Sequence, residues 1–471
     1  MKYYIPDSFD IDFFITRIPT SSIKPFKKKH LLYILDLITS IPANNKALDL
    51  KEGFVPINAK ILQNKVRNYK QYLEYLVTSG VLIVNKHYIP GEKSRGYKFI
   101  EQFSGIVRMV IDDDENNTQE LSKQLNGISK LHRKQYQHLL KWYDTCFQID
   151  SKLALSYIEA DYNRKIINPS FQDCDELTGQ CKDPVEQYNS AFVNIEKFSG
   201  GALLLNIDDF GRRIHSPLTN IRSELRNLLT YNGLQLASVD INNSQPYLST
   251  LLFNPSFWDI TNTTYVLTHN SVGITLKEIF NSNSVTDYFI MICKIAISCV
   301  DSDVHTYTEI VKSGRFYEYM AEQTQTDMSD RSKLKAAIFQ VLFTDNSYIG
   351  QTEAAPKRKF RDLFPDVYQL FSSIKRKEKA NMPKLLQRIE SHIILSIVTK
   401  RVAIEKPNLP IFTIHDSIVT IQGYEYYIER VMEEEMIKIL GFPPKLTVSL
   451  WKPENLKFKN GEPYNVLKKV A

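Results

Sequence analysis

The 471-residue sequence is long enough for two or three domains with sizeable cores, and its 43% hydrophobic content is ordinary for a globular chain. A net charge of +6 is compatible with an anionic partner, and no apolar run is long enough to span a membrane. Five widely spread cysteines (Cys146, Cys174, Cys181, Cys293 and Cys299) imply a reducing compartment and no disulfide framework. Cys174 and Cys181 flank a polar stretch with no further metal ligands nearby, so a surface loop is expected there rather than a zinc site. The start, MKYYIPDSFDID, lacks an apolar leader core, and a cytoplasmic location is expected.

From about Lys29 to Ile100 the pattern is that of a small unit. KHLLYILDLITSI has helical spacing, INAKILQNKV follows as a short helix, and NYKQYLEYLVTSG is a third that ends at Gly80. VLIVNKHYI and GYKFI read as two strands around the loop PGEKSRG. Three helices and a β-hairpin are the plan of a winged helix. Arg67 and Lys70 on its third helix, with Lys93 and Arg95 in its wing, would contact phosphates. The alternative is a module of this shape used for protein contacts or packing alone.

The acidic break DDDENNT reads as a solvated linker, and helical patterning resumes through ELSKQLNGISKLHRKQYQHLLKWY. Residues from Asn168 to Asn189 read as a polar loop. From about Phe192 to Leu450 helical and strand-like runs alternate without a βαβ rhythm, which favours an α+β domain, and no glycine-rich phosphate loop is present.

Two acidic residues stand at unusual places. In LQLASVDINNSQPYLSTLL a short apolar strand leads to Asp240, and a helix follows. In LPIFTIHDSIVTI two apolar strands flank His415-Asp416-Ser417. A charge at the edge of a core is costly without a ligand. Two such carboxylates suit a pair of divalent ions of the kind that drive nucleotidyl transfer. Asp240 as a helix N-cap and Asp416 as a plain turn residue are the competing readings. Between them, DRSKLKAAIFQVLFTDN puts Arg331, Lys335, Phe339 and Phe343 four residues apart on one helix face. Such a row suits a triphosphate, with cations on the phosphates and rings toward sugar and base. The competing reading is a solvated pair of cations beside core aromatics, against which the shared spacing of cations and rings argues.

In this order the three segments resemble motifs A, B and C of the DNA polymerase I family and of the related single-subunit phage-type RNA polymerases. The resemblance covers about Leu203 to Leu450. It implies a right-hand polymerase of palm, fingers and thumb, preceded by the winged-helix-like domain: 1–110 for the latter, 111–200 for a helical, thumb-like connector, and 201–471 for palm and fingers. It further implies two Mg²⁺ (or Mn²⁺) held by Asp240, Asp416 and the carbonyl of Ile241. Arg331, Lys335, Phe339, Phe343 and Gln245 would bind the nucleotide. Weaker echoes in GRRIHSPLTNI and LLQRIESHIILSIV place Arg213, Gln387 and His392, with His415, against the nucleic acid.

The sequence also departs from the family. Phe343-Thr344 replaces the usual Tyr-Gly, INNSQPY replaces Tyr-Ser-Gln-Ile-Glu after Asp240, and Ser417 follows the RNA enzymes. Phe339 matches the DNA enzymes, and the reading favours a DNA polymerase without a proofreading exonuclease. Its partners would be DNA template and primer, nucleoside triphosphates and replication or mobile-element proteins. An RNA polymerase or primase, and a non-catalytic DNA-binding protein with a degenerate palm, are the alternatives.

Overall fold

The computed structural model describes residues 2–44, 50–85, 94–112, 128–174, 180–201, 203–259, 267–279, 302–324 and 338–464. The N-terminal strand β1 (Lys2–Pro6) leads through a short helix into the long helix Lys28–Asn44, whose Leu31, Leu32, Ile34, Leu35 and Ile38 form its buried stripe. After the brief strand β2 (Val55–Pro56) come the helices Ala59–Lys65 and Tyr69–Thr78. Asn58 caps the first, its side chain accepting from Lys60 and Ile61 amides. Strands β3 (Leu82–Asn85) and β4 (Gly96–Phe99) follow, in a three-stranded sheet ordered β2-β4-β3. One core joins these elements, with Tyr72 and Leu76 fully buried and the Tyr75 hydroxyl donating to the Ile18 carbonyl at 2.9 Å.

β5 (Val107–Ile111) returns to pair antiparallel with β1, a contact that local patterning does not announce. The unit is tied to the rest of the chain through the helix Pro184–Ser199, whose buried Asn194 donates to the Ala43 carbonyl at 3.0 Å. That helix corrects the loop expected over Asn168 to Asn189. Asp183 caps it, accepting from the Val185 amide, and Pro184 sits in its first turn, so it starts well inside the supposed loop. The disulfide expectation is corrected too: Cys174 and Cys181 are bonded to each other. They stand only seven positions apart, so the bond staples one local loop, and Cys146 is the free cysteine among the described residues.

The larger core is built on a six-stranded antiparallel sheet. Its path is β11 (Ile411–Ile414), β12 (Ser417–Ile421), β10 (Leu234–Ile241), β9 (Leu229–Tyr231) and β6 (Phe147–Ile149). β13 (Leu446–Leu450) pairs with the other edge of β10. A two-stranded ribbon, β7 (Asn206–Ile207) and β8 (Ile214–His215), precedes it. Helices cover this core, among them Asn381–His392, which runs on through a π-helical turn at Ile393–Val398. The architecture is therefore mixed helix and antiparallel sheet, with no described helix long and apolar enough to cross a membrane.

Candidate active site

β10 is central, hydrogen-bonded on both edges, and this fixes Asp240. Its direct neighbours are Ser417 on β12 and Thr447 on β13. Val239 and Ile241 face the core on either side of it. The Asp240 carboxylate accepts from the Ser238 hydroxyl at 2.9 Å. It caps no helix: the residue at the cap of Ser244–Ser249 is Asn243.

Asp416 lies in the two-residue turn between β11 and β12, one position from the residue opposite Asp240. His415, the other turn residue, has φ 56°. A left-handed non-glycine residue costs of order 1–3 kcal/mol, a strain that clusters at functional sites. Burial raises the Asp416 pKa above the usual aspartate value. The charge of Asp240 raises it further, against a hydrogen bond from Ser244 and the charge of Arg213. The fold thus holds the two carboxylates close enough for the charge of Asp240 to disfavour that of Asp416.

Cations stand behind this pair. Arg226, in the turn of helix Glu224–Leu228, is pulled down by burial, and the charges of Asp240 and Glu224 oppose that pull. Its Nε is buried and has no hydrogen-bond partner among the described residues. His415 is pushed down to about 4 by burial and by the nearby Arg213, His215 and Arg226, so its ring is neutral at pH 7. Its ring packs edge-on to His215, centroids 6.3 Å apart. His215 in turn bonds Asp208 at 2.9 Å. Burial would raise Asp208, yet the bonds from His215 and from the Gly211 and Arg213 amides prevail and bring it to about 2.

Arg213, expected at nucleic acid, is bound inside the protein. Its Nε and one terminal nitrogen donate to Glu390 Oε1 at 2.9 and 2.6 Å. Gln245, on the helix after Asp240, donates through Nε2 to Glu390 Oε2 at 2.7 Å. Glu390 is 1% exposed, and burial pushes it up to about 7, with the Asp416 charge adding and Arg213 opposing. Neither Glu390 nor Arg226 was singled out in the sequence. The readable signal for Glu390 was its place four residues after Leu386 and three before Ile393, on the buried stripe of its helix.

Gln387, on the same helix, packs on Gly211, where an added Cβ would fall 2.5 Å from its Oε1. His392 is half-buried, its pKa lowered by burial and by Arg212. Phe339 and Phe343 are stacked at 5.2 Å on the helical residues 338–343, with Phe339 37% exposed. Arg331, Lys335 and the wing residue Lys93 lie outside the described residues. Arg67, Lys70 and Arg95 are exposed on the N-terminal unit, Arg95 bonding the Tyr97 hydroxyl.

The residues around Asp240 and at the end of the 338–343 helix have local partners. Asn242 accepts from the Thr447 hydroxyl at 2.7 Å, and Asn243 takes a left-handed conformation, φ 54°, that opens the following helix. Thr344 ends the 338–343 helix by donating its hydroxyl to the Gln340 carbonyl. Two buried lysines seal that end: Lys357 bonds the Thr344 hydroxyl at 3.0 Å, and Lys375 bonds the Val341 carbonyl at 2.6 Å and the Thr344 carbonyl at 3.2 Å.

Among the described residues no group of three or more histidine, cysteine or acidic side chains forms a metal cluster. The pair Asp240 and Asp416, with the Ile241 carbonyl, offers only hard oxygen donors. Such a set suits Mg²⁺, which takes one or two carboxylates and fills its remaining positions with water and phosphate. The mutual repulsion at Asp416 is what a bound cation would relieve.

No protein-family model matches the chain, and no curated protein sequence matches it. Among solved structures the chain is similar to the polymerase domain of Pol1 from M. smegmatis, in complex with DNA primer-template and dNTP. The TM-score is 0.41 and the identity 12%, over 70% of this chain and 71% of that one.

Proposed function

We propose that this chain is a template-directed nucleotidyltransferase, a DNA polymerase of the right-hand type without proofreading. The observation that carries this reading is the meeting of Asp240, on β10, with Asp416, in the turn that leads into the neighbouring β12, where burial and then the charge of Asp240 push Asp416 toward protonation. Asp240, Asp416 and the Ile241 carbonyl would hold Mg²⁺ or Mn²⁺. When bound, the ions supply activation of a primer hydroxyl and neutralisation of the triphosphate. The chain's own residues fix the geometry: β10 places Asp240, and the strained His415 turn places Asp416. The neutral His415 ring leaves no positive charge of its own beside Asp416 at pH 7. Phe339 presents an exposed ring for sugar or base stacking, and Arg331 and Lys335 are assigned to the phosphates.

The test is a primed template offered dNTPs or NTPs, in Mg²⁺ or Mn²⁺. Extension with dNTPs supports the DNA polymerase. Extension only with NTPs moves the assignment to an RNA polymerase or primase. Binding without any extension leaves a non-catalytic nucleic-acid-binding protein.

The N-terminal unit is assigned as a winged-helix domain that holds nucleic acid. Its helix order and its β2-β4-β3 sheet support this, as do the exposed Lys60 and Lys65 on its second helix, Lys70 on its third, and Arg67, which lies in the turn between the two and not on the third helix as expected. Arg67→Ala and Lys70→Ala are each expected to reduce the slope of log affinity against log salt by about 1, without changing sequence preference. Fluorescence anisotropy across a salt series measures this. An unchanged slope in the double variant would reassign the face to protein contacts.

A further inference from the structure

We propose that Glu390 is a positioning residue of the nucleotide site, acting through Gln245 and Arg213. The inference rests on the nucleotidyltransferase reading above. It starts from three chain segments that meet at one buried carboxylate: Arg213 beside the β7–β8 ribbon, Gln245 just after Asp240, and Glu390 on the helix Asn381–His392. Both Glu390 oxygens are occupied, one by the guanidinium and one by the amide, so Glu390 is a scaffold and not an ion ligand.

The chemistry of the partners sets a direction. Gln245 turns its NH2 toward Glu390, the orientation that an ionised carboxylate, which accepts hydrogen bonds and donates none, requires. Its carbonyl oxygen then becomes the end left for other groups. That oxygen is buried and accepts no hydrogen bond among the described residues. A buried acceptor without a donor costs of order 1–3 kcal/mol, an arrangement that fits a donor arriving with a ligand. A sugar hydroxyl of the incoming nucleotide is such a donor. Glu390 thereby makes Gln245 an acceptor toward the nucleotide, and it holds Arg213 back from solvent in the same wall.

Glu390→Gln reverses this polarity. The new amide must give its carbonyl to Arg213, which only donates, and so turns its own NH2 to Gln245. Gln245 then accepts from residue 390 and presents NH2 where it formerly presented oxygen. The exchanged pair Glu390→Gln/Gln245→Glu restores an acceptor there: Arg213 donates to the new Gln carbonyl, and the new Gln amide donates to the new Glu.

The experiment is steady-state single-nucleotide incorporation on a primed template by the full chain, with dNTP, NTP and 3′-deoxy arms. Glu390→Gln is expected to raise KM for the nucleotide by at least about tenfold, with kcat changed by less than about threefold. The exchanged pair is expected to recover most of that loss. The arm in which Glu390→Gln no longer raises KM identifies the hydroxyl Gln245 accepts from. A Glu390→Gln protein with wild-type KM, or an exchanged pair no better than the single variant, overturns the proposal. Should Glu390→Gln not fold, Gln245→Ala with an unchanged Tm must show the KM increase, and an unchanged KM overturns it. Where the wild-type chain incorporates nothing, the function assigned above fails. The same variants are then compared by equilibrium binding of Mg²⁺–dNTP and Mg²⁺–NTP, and absent or variant-independent binding overturns the proposal as well.

Discussion

Asp416→Asn is expected to abolish primer extension, by about a thousandfold or more, while the protein becomes no less stable. The first half follows from charge: ion-held phosphoryl chemistry depends on carboxylate ligands for several kcal/mol, and each 1.36 kcal/mol is tenfold in rate. The second half follows from the direction of the Asp416 shift. Its folded pKa lies above the ordinary aspartate value, chiefly from burial. The folded state therefore holds a proton that the unfolded state releases, and stability falls as pH rises through that interval. Above it the ionised Asp416 is a standing cost, and the asparagine isostere removes it. Tm at neutral pH is expected to stay level or rise. Asp240→Asn should lose extension to the same degree and relieve part of the same cost, since the charge of Asp240 is one cause of the Asp416 shift. Primer-template affinity, supplied mainly by backbone phosphates, should change by less than about threefold in both. Extension retained in either variant would remove the aspartates from the chemistry. A marked fall in Tm would make them structural.

Much of this site was legible because its parts are local. An apolar strand that delivers an acid, and a strand pair that turns on His-Asp, are patterns a reader can find in ten residues. The structure sets the two side by side through the register of Asp240 against Ser417. The helices and strands between Lys29 and Ile100 were legible for the same reason. What was not legible is what depends on partners far along the chain. β1 meets β5 about a hundred residues later, and no local periodicity encodes that register. Glu390 reads as an ordinary polar residue of an amphipathic helix until Arg213 and Gln245 arrive from 177 and 145 positions away. Arg226 and the lysines that seal the 338–343 helix are hidden likewise, because a charged residue in sequence reads as surface and only the fold shows it buried. The Cys174–Cys181 bond was misread from composition, which speaks to frameworks of several bonds and not to one local staple.

The second large effect is expected at Arg213, and pH is its signature. Arg213→Ala removes the cation from a carboxylate that is 1% exposed. Breaking a buried pair by deleting one member typically costs about 3–5 kcal/mol, because a charge is left without compensation. Glu390 can escape that cost by taking up a proton. Even beside Arg213 its pKa stands at about 7, raised from 4.5 mainly by burial. Between those values the folded wild-type chain binds a proton that the unfolded chain does not, so its stability falls as pH rises through the window. Without Arg213 the folded pKa climbs further and the decline extends above pH 7. At pH 5 both proteins carry a protonated Glu390 and differ only by lost hydrogen bonds and packing. At pH 8 the wild type has an ion pair, and the variant has either a bare buried charge or a proton taken up against the bulk pH. The gap in Tm between them is therefore expected to widen from pH 5 to pH 8. Arg213→Lys, a point charge without the two-nitrogen grip, should fall between the two. A gap that is constant with pH would mean that Glu390 is not the group Arg213 neutralises. Arg213 would then serve the fold by its packing alone.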